Sequence, residues 1–203
     1  MKRPPVLSTI IVAVAVAAMI ALGIWQLQRR TWKEALLARY EENARLPRMA
    51  FPRVAQGDAF LYRRAGAFCL QPVNWRVEGA GRFGWRVLAD CRTGAEGPGF
   101  TAELGLSRDP NVKPAWKGGP ITGTIAPAPS HDSLIATLSG KAAQTRLMLV
   151  ADQPVAGLTP PPAPSPASIP NNHLAYAVQW FIFAALAAII YAIALVRRQR
   201  RGA

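Results

Sequence analysis

Histidine, tryptophan, tyrosine, arginine and glutamine gather at two places in this chain, each beside a long apolar run. One cluster reads Asn171-Asn172-His173-Leu174-Ala175-Tyr176-Ala177-Val178-Gln179-Trp180-Phe181. As a helix it sets His173, Tyr176, Ala177 and Trp180 at i, i+3, i+4 and i+7, on one face. An imidazole at the entrance of an apolar helix is a natural ligand for a metal or a haem iron. Asn171 or Asn172 stands where a helix cap belongs. A belt of interfacial aromatics is the competing reading; it accounts well for Tyr176 and Trp180 and poorly for His173. The other cluster reads Leu22-Gly23-Ile24-Trp25-Gln26-Leu27-Gln28-Arg29-Arg30-Thr31-Trp32-Lys33. Trp25, Arg29 and Trp32 share a face, so Arg29 can stack on an indole or pair with an anionic group. Snorkelling arginines in an aromatic belt are the alternative. Gln26, an amide near the end of an apolar run, wants a partner. If the two helices pack, Gln26, Arg29, Trp32, His173, Tyr176 and Trp180 converge. Ala13, Ala17 and Ala21, with Ala184, Ala188 and Ala192, offer a small residue every fourth position for that packing.

Two elements must carry these clusters. No charge interrupts the chain from Pro4 to Leu27 or from Leu174 to Val196. At 1.5 Å per residue, about 23 residues make roughly 34 Å of helix, enough for a hydrocarbon core of about 30 Å. The expected fold is therefore a membrane protein, with two transmembrane α-helices flanking a β-rich (α+β) exterior domain. A cleaved signal peptide would have a shorter apolar run, and a mitochondrial leader would be Arg- and Ser-rich and amphipathic. Lys2 and Arg3 precede the first span, and Arg197, Arg198, Arg200 and Arg201 follow the second, which predicts both termini in the cytoplasm. Arg29, Arg30 and Lys33 oppose this, but they belong to a long loop, where the charge rule has little force. Arginine outnumbers lysine and alanine abounds, compatible with a bacterial inner membrane and a periplasmic middle.

The net charge of +13 does not point to nucleic acid. Six of the 24 basic residues sit in the two tails, without acidic neighbours. The remainder shows no basic helix, aromatic RNA-binding signature or zinc-finger spacing. Orientation signals and attraction to anionic lipid headgroups of the bilayer explain the charge. Cys69 and Cys91 are compatible with a disulfide across neighbouring strands in an oxidising compartment, or with two reduced, buried thiols; the sequence leaves both open.

Between the spans, Thr31 to Leu46 continues as a helix with Leu36, Leu37, Tyr40 and Leu46 apolar and Glu34, Glu41 and Glu42 solvated. Pro47 and Pro52 end it. Phe60–Leu70, Val73–Glu78, Phe83–Cys91, Phe100–Leu106, Ile121–Ala126 and Thr145–Ala151 read as short strands bounded by turn residues. They make one small barrel or sandwich. Gln153 to Pro170 holds seven prolines and reads as a stiff spacer. The resulting plan is a tail over 1–5, a membrane helix over 6–27 and a β-rich domain with an N-terminal helix over 28–152. A Pro-rich linker over 153–172, a second membrane helix over 173–196 and a basic tail over 197–203 complete it. Ser130-His131-Asp132 contains the letters of a catalytic triad, but loop neighbours cannot converge as a triad does. There is no phosphate loop, CxxC or HExxH, and no enzyme is expected.

The two clusters together resemble the surfeit locus protein 1 family, membrane proteins that assist cytochrome c oxidase assembly. The resemblance rests on Leu22-Gly23-x-Trp25-Gln26-Leu27-x-Arg29-x-x-Trp32-Lys33 and on Asn172-His173-Leu174-x-Tyr176-Ala177-x-x-Trp180-Phe181, in that order at the two ends. Tyr62-Arg63-Arg64, Gly66-Ala67-Phe68, Gly84-Trp85-Arg86-Val87-Leu88 and Gly123-Thr124-Ile125 are compatible with it. The family's mid-domain Arg-Gly-Trp is replaced here by Glu103-Leu104-Gly105-Leu106-Ser107. The resemblance implies an assembly factor promoting insertion or retention of haem A in the large oxidase subunit, with haem A synthase a further possible partner. It implies His173 as haem-iron ligand, with Tyr176, Trp180, Trp25 and Arg29 lining the site and Arg29 suited to a propionate. A cofactor-free membrane scaffold and a membrane-anchored periplasmic hydrolase are the alternatives.

Overall fold

The computed structural model describes residues 6–54, 57–94, 99–130 and 145–201. Helix α1 runs unbroken over Val6–Arg45 and helix α2 over His173–Arg200. Between them lie β1 (Met49–Ala50), β2 (Arg64–Cys69), β3 (Gln71–Gly79), β4 (Trp85–Arg92), β5 (Phe100–Ser107), β6 (Gly119–Pro127) and β7 (Leu147–Ala151). The chain forms two compact units, Met1–Leu37 with Pro170–Ala203, and Ala38–Ile169.

In the helical unit one stripe of each helix is withdrawn from its surroundings. On α1 it consists of Thr9, Val12, Val16, Met19, Gly23 and Gln26; on α2 it runs through His173, Ala177, Trp180, Ala184, Ala187 and Tyr191, with Phe181 and Leu195 also half-buried. The alternating steps of three and four residues are those of a left-handed coiled-coil seam. Thr9 Oγ1 meets Tyr191 Oη at 2.6 Å, and Gln26 Oε1 meets His173 Nδ1 at 2.8 Å, so the helices run antiparallel. Gly23 lets them approach closely, because a Cβ there would stand 2.6 Å from Phe181 Cε1. The alanine stripes expected from sequence form the seam only at Ala184. Ala13, Ala17, Ala21, Ala188 and Ala192 face outward. In an alanine-rich helix every face offers small residues, so spacing alone does not select one. Both helices are long and apolar enough to cross a membrane. Their outer faces are apolar too, with Val14 63% and Ile190 65% exposed.

The β-unit is a barrel. Its hydrogen-bonded order is β1-β2-β6-β7-β5-β4-β3, with β1–β2 and β5–β7 parallel and the other pairs antiparallel. Only Leu70 separates β2 from β3, so the second strand of the sheet and its last are one bent strand, and the sheet closes on itself. Counting that strand once, five strands close in the manner of an OB-type barrel. Such a likeness assigns no function by itself. Ala89, Ala102, Leu149 and Ile125 stand opposite one another across β4, β5, β7 and β6, all at 0% exposure. The other face of these strands carries a second buried cluster of Leu88, Ala126, Met148 and Val150.

The six strand runs read from the sequence each overlap one of β2–β7, with ends that differ by one or more residues, because Gly, Pro and Asn bound them. The register of β4 on β5 shifts between Val87 and Leu88, leaving Leu104 as an extra residue in β5. That bulge interrupts the two-residue alternation of β5 at Glu103-Leu104-Gly105, whereas the mixed pattern of Trp85-Arg86-Val87-Leu88 reflects burial on both faces of β4. Cys69 and Cys91 are joined, with Cα atoms 5.2 Å apart. The bridge ties the end of β2 to β4 where the barrel closes, and Leu70 N–H donates to Arg92 O beside it.

The Pro-rich segment is more than a spacer. Leu106 and Thr159 exchange backbone hydrogen bonds of 2.9 Å, and Val155 N–H donates to Leu104 O. Gly105, at φ +146°, accepts this overlay: a Cβ there would meet Leu158 Cβ at 2.7 Å and Thr159 O at 2.9 Å.

The last turns of α1 belong to the β-unit. Asn43 Nδ2 donates to Ala59 O and Leu61 O at 2.9 and 3.0 Å, and Tyr40 packs on Tyr62 with ring centroids 5.1 Å apart. Tyr62 is, among the described residues, the non-glycine at positive φ, +67°. Those contacts hold it in a conformation of order 1–3 kcal/mol above the ordinary regions. Leu46, read as an apolar helix position, lies past the helix end and is exposed.

Candidate functional site

The chemistry-bearing side chains of the helical unit lie at the end where α2 begins. His173 is the first residue of α2. Asn172 occupies the cap position, but its side chain makes no capping bond. Asn171 Oδ1, two residues before His173, is buried without a hydrogen-bond partner. The expected asparagine cap is therefore not formed through a side chain, and an orphan acceptor stands near the imidazole in sequence.

The two clusters meet through Gln26 and His173. An amide oxygen can only accept, so His173 Nδ1 carries the hydrogen, and in the neutral ring Nε2 keeps its lone pair. Second-sphere carbonyls orient metal-bound imidazoles in this way. Gln26 is a residue whose need for a partner was visible in the sequence; its partner's identity was not.

Trp25, Arg29 and Trp32 do not enter the seam. Each precedes a position of the α1 stripe or its continuation at Arg30 and Lys33, just as Tyr176 precedes Ala177 on α2. In an antiparallel pair of right-handed helices a step of one residue back, about 100°, turns toward the same flank on both partners. Trp25, Arg29, Trp32 and Tyr176 therefore share one flank, with Trp180 at its inner edge. Trp25 and Trp32 are each 52% exposed and Tyr176 50%. The Arg29 guanidinium lies 4.1 Å from the centre of the Trp32 ring, the stacking that the spacing allowed. Trp180 packs edge-on against Phe183, centroids 6.3 Å apart. The expected convergence thus resolves into one interhelical hydrogen bond and an open aromatic flank beside it, with a cation at one end.

The β-unit offers less chemistry. Its apolar cleft of 510 Å³, lined by Leu104, Trp116, Ile121, Pro154 and Val155 among others, contains no ionisable side chain. A polar ladder runs over one face of β3, β4 and β5. Asp90 accepts from Asn74, Arg76 and Thr101 there, and Arg86 stands 3.7 Å from Glu103. Glu103, 5% exposed, lies directly opposite Leu88 and Val150. Burial raises its carboxyl above the usual range, the Arg86 charge opposes that rise and Glu78 adds to it. Sequence reading passed over Glu103 except as part of a missing motif. Among the described residues no group of three His, Cys, Asp or Glu side chains could hold a metal ion. His131 and Asp132 of the Ser130-His131-Asp132 run lie outside the described residues, as do the tail residues 1–5.

The sequence model of the SURF1 family matches residues 13–185, a span that contains both clusters, the barrel and the Pro-rich segment. A search of curated proteins found no match. The SURF1 family is membrane-associated and is a family of cytochrome c oxidase assembly factors rather than a known enzyme family. With its two motifs meeting at Gln26 and His173 inside the matched span, this chain belongs to the SURF1 family.

Proposed function

We propose that this chain assists haem A insertion or retention in the large subunit of cytochrome c oxidase, with His173 as the axial ligand it offers to haem iron. The observation that carries the reading is the 2.8 Å contact of His173 Nδ1 with Gln26 Oε1, which in the neutral ring leaves Nε2 its lone pair. The surrounding groups suit a haem. Trp25, Tyr176 and Trp180 supply an aromatic flank for a flat macrocycle, Arg29 a guanidinium for a propionate, and Asn171 Oδ1 a buried acceptor without a partner. The bound group would supply the iron centre that is handed on. The chain's own residues would bind, orient and release it. One imidazole beside an open flank holds a haem less tightly than a closed two-ligand pocket, as a delivery factor requires.

In this reading α1 and α2 span the bacterial inner membrane with both termini cytoplasmic and the β-unit periplasmic. The basic run Arg197, Arg198, Arg200 and Arg201 at the end of α2 supports that orientation, and so does the Cys69–Cys91 disulfide. The large oxidase subunit would receive the haem and haem A synthase would supply it.

The test is a reduced-minus-oxidised spectrum of membranes from a strain lacking this gene, complemented with the wild type or with His173→Ala. Loss of the a-type haem signal while oxidase subunits are still made, restored by the wild type and not by His173→Ala, supports the reading. Full restoration by His173→Ala at normal protein levels would falsify the ligand role and favour a cofactor-free scaffold.

A further inference from the structure

We propose that Gln26 is a positioning residue for His173: its amide oxygen fixes the imidazole as the Nδ1–H tautomer and turns Nε2 outward as a lone-pair donor. The claim about the ligand that Nε2 serves rests on the haem reading above; the claim about the tautomer does not.

Three features of the helical unit carry it. First, Gln26 projects from α1 into the seam rather than to the surroundings, near the end of an uncharged run. A primary amide there has little to bond with except another helix. Second, the contact matches one tautomer of the ring. The atom facing Nδ1 at 2.8 Å is the amide oxygen, which has no hydrogen to give. Third, the bond lies beside close-packed positions. Gly23, one turn before Gln26, and Ala177, one turn after His173, are both buried, so the two backbones are near each other and neither side chain has much room to swing. The Thr9–Tyr191 contact at the other end of the pair clasps the same helices without touching a titratable ring of this kind. It is therefore the natural control for a merely structural clasp.

The experiment uses the full chain in detergent, with histidine labelled by ¹⁵N. The chain has two histidines, so a His131→Ala background leaves one imidazole to read. Long-range ¹H–¹⁵N spectra distinguish a protonated Nδ1 from a protonated Nε2. The expected result is the Nδ1–H tautomer in the parent, its loss or mixing with Nε2–H in Gln26→Leu, and its retention in Gln26→Glu, which keeps an acceptor oxygen at the same reach. Tyr191→Phe leaves the signal where it was. An Nε2–H ring in the parent, or an unchanged Nδ1–H ring in Gln26→Leu, overturns the proposal.

A second readout uses haemin as the probe, titrated into the same variants. Loss of an orienting partner costs about 10–100-fold in affinity at metal-bound histidines, and a loss of that size is expected for Gln26→Leu. Gln26→Glu and Tyr191→Phe should remain within a few-fold of the parent. Equal haemin affinity in Gln26→Leu and the parent overturns the positioning role. Should haemin bind none of these proteins while the tautomers follow the expected pattern, the haem reading falls and the tautomer assignment stands.

Discussion

In the barrel, Ala89, Ala102, Ile125 and Leu149 are sealed at 0% exposure inside a wall that closes on itself and is bridged by Cys69 and Cys91. The helical unit has no such interior. One stripe of each helix is covered, its deepest points being small residues such as Gly23, Ala177 and Ala184, and the remaining faces are apolar and open. The barrel carries its own solvent exclusion, whereas the open faces of the helix pair are suited to an apolar medium. In such a medium apolar packing between helices gains little, and polar contacts between helices contribute about 0.6–2 kcal/mol each. The residues best suited to bind something lie in the weaker unit, where ligand contacts need not compete with a packed core.

That contrast can be broken at the barrel first. Replacing Cys69 and Cys91 together by serine removes a cross-link spanning 22 residues, worth about 3 kcal/mol of barrel stability on loop-entropy grounds. Denaturant unfolding read by Trp75 and Trp116 fluorescence should shift by that amount, while the His173 imidazole resonance stays in place. A parallel loss of the His173 signal would show that the two units do not stand on separate supports.

Asn43→Ala strikes the buried anchor of the α1 end. It leaves the carbonyls of Ala59 and Leu61 without their donor, at an expected cost of about 2 kcal/mol. Strain at Tyr62 should be released with it, visible as faster amide exchange over residues 57–63.

Glu103 tests the barrel by pH. Its carboxyl is raised in the folded state, so folding favours its protonated form. Its contribution to stability therefore grows as pH falls through the raised folded value toward the ordinary carboxylate range, by about 1.4 kcal/mol for each unit between the two. This is opposite in sign to an acid whose partner's charge outweighs its burial. The difference in stability between the wild type and Glu103→Gln, followed from neutral to mildly acidic pH, should narrow if the variant is the more stable at neutral pH. A difference independent of pH would contradict the assignment.

The smallest effect belongs to the seam. Gly23→Ala places a methyl against the Phe181 ring, a side chain that can turn aside, so about 1 kcal/mol or less is expected. The His173 imidazole should keep its tautomer with a small shift. Loss of the Nδ1–H signal would mean that helix approach, rather than Gln26, sets it.

How far the sequence discloses this molecule depends on contrast. The strands of the barrel were legible because Gly79 to Gly84, Pro110 to Gly119 and their like punctuate apolar runs. Barrel closure was not, since it follows from the single residue between Cys69 and Gln71, and nothing local distinguishes a bent strand from two. The docking of 155–159 on β5 escaped a reading of the segment as proline-rich. Val155, Leu158 and Thr159 keep their N–H groups, and two of these bond to β5. In the spans, hydrophobic periodicity is silent because every face is apolar. The polar exceptions, Gln26 and His173, did mark where the helices meet. The placement of Trp25, Arg29, Trp32 and Tyr176 on a flank rather than in the seam needed the helix direction and the seam position together.

The most direct measurement is the visible spectrum of the full chain purified from a host that makes haem A, beside His173→Ala, with barrel unfolding measured on both. An a-type haem spectrum in the wild type that is absent in His173→Ala, at equal barrel stability, is the expected result. Equal haem content in the two proteins would contradict the account, since the bare Nε2 of His173 is the atom on which it turns.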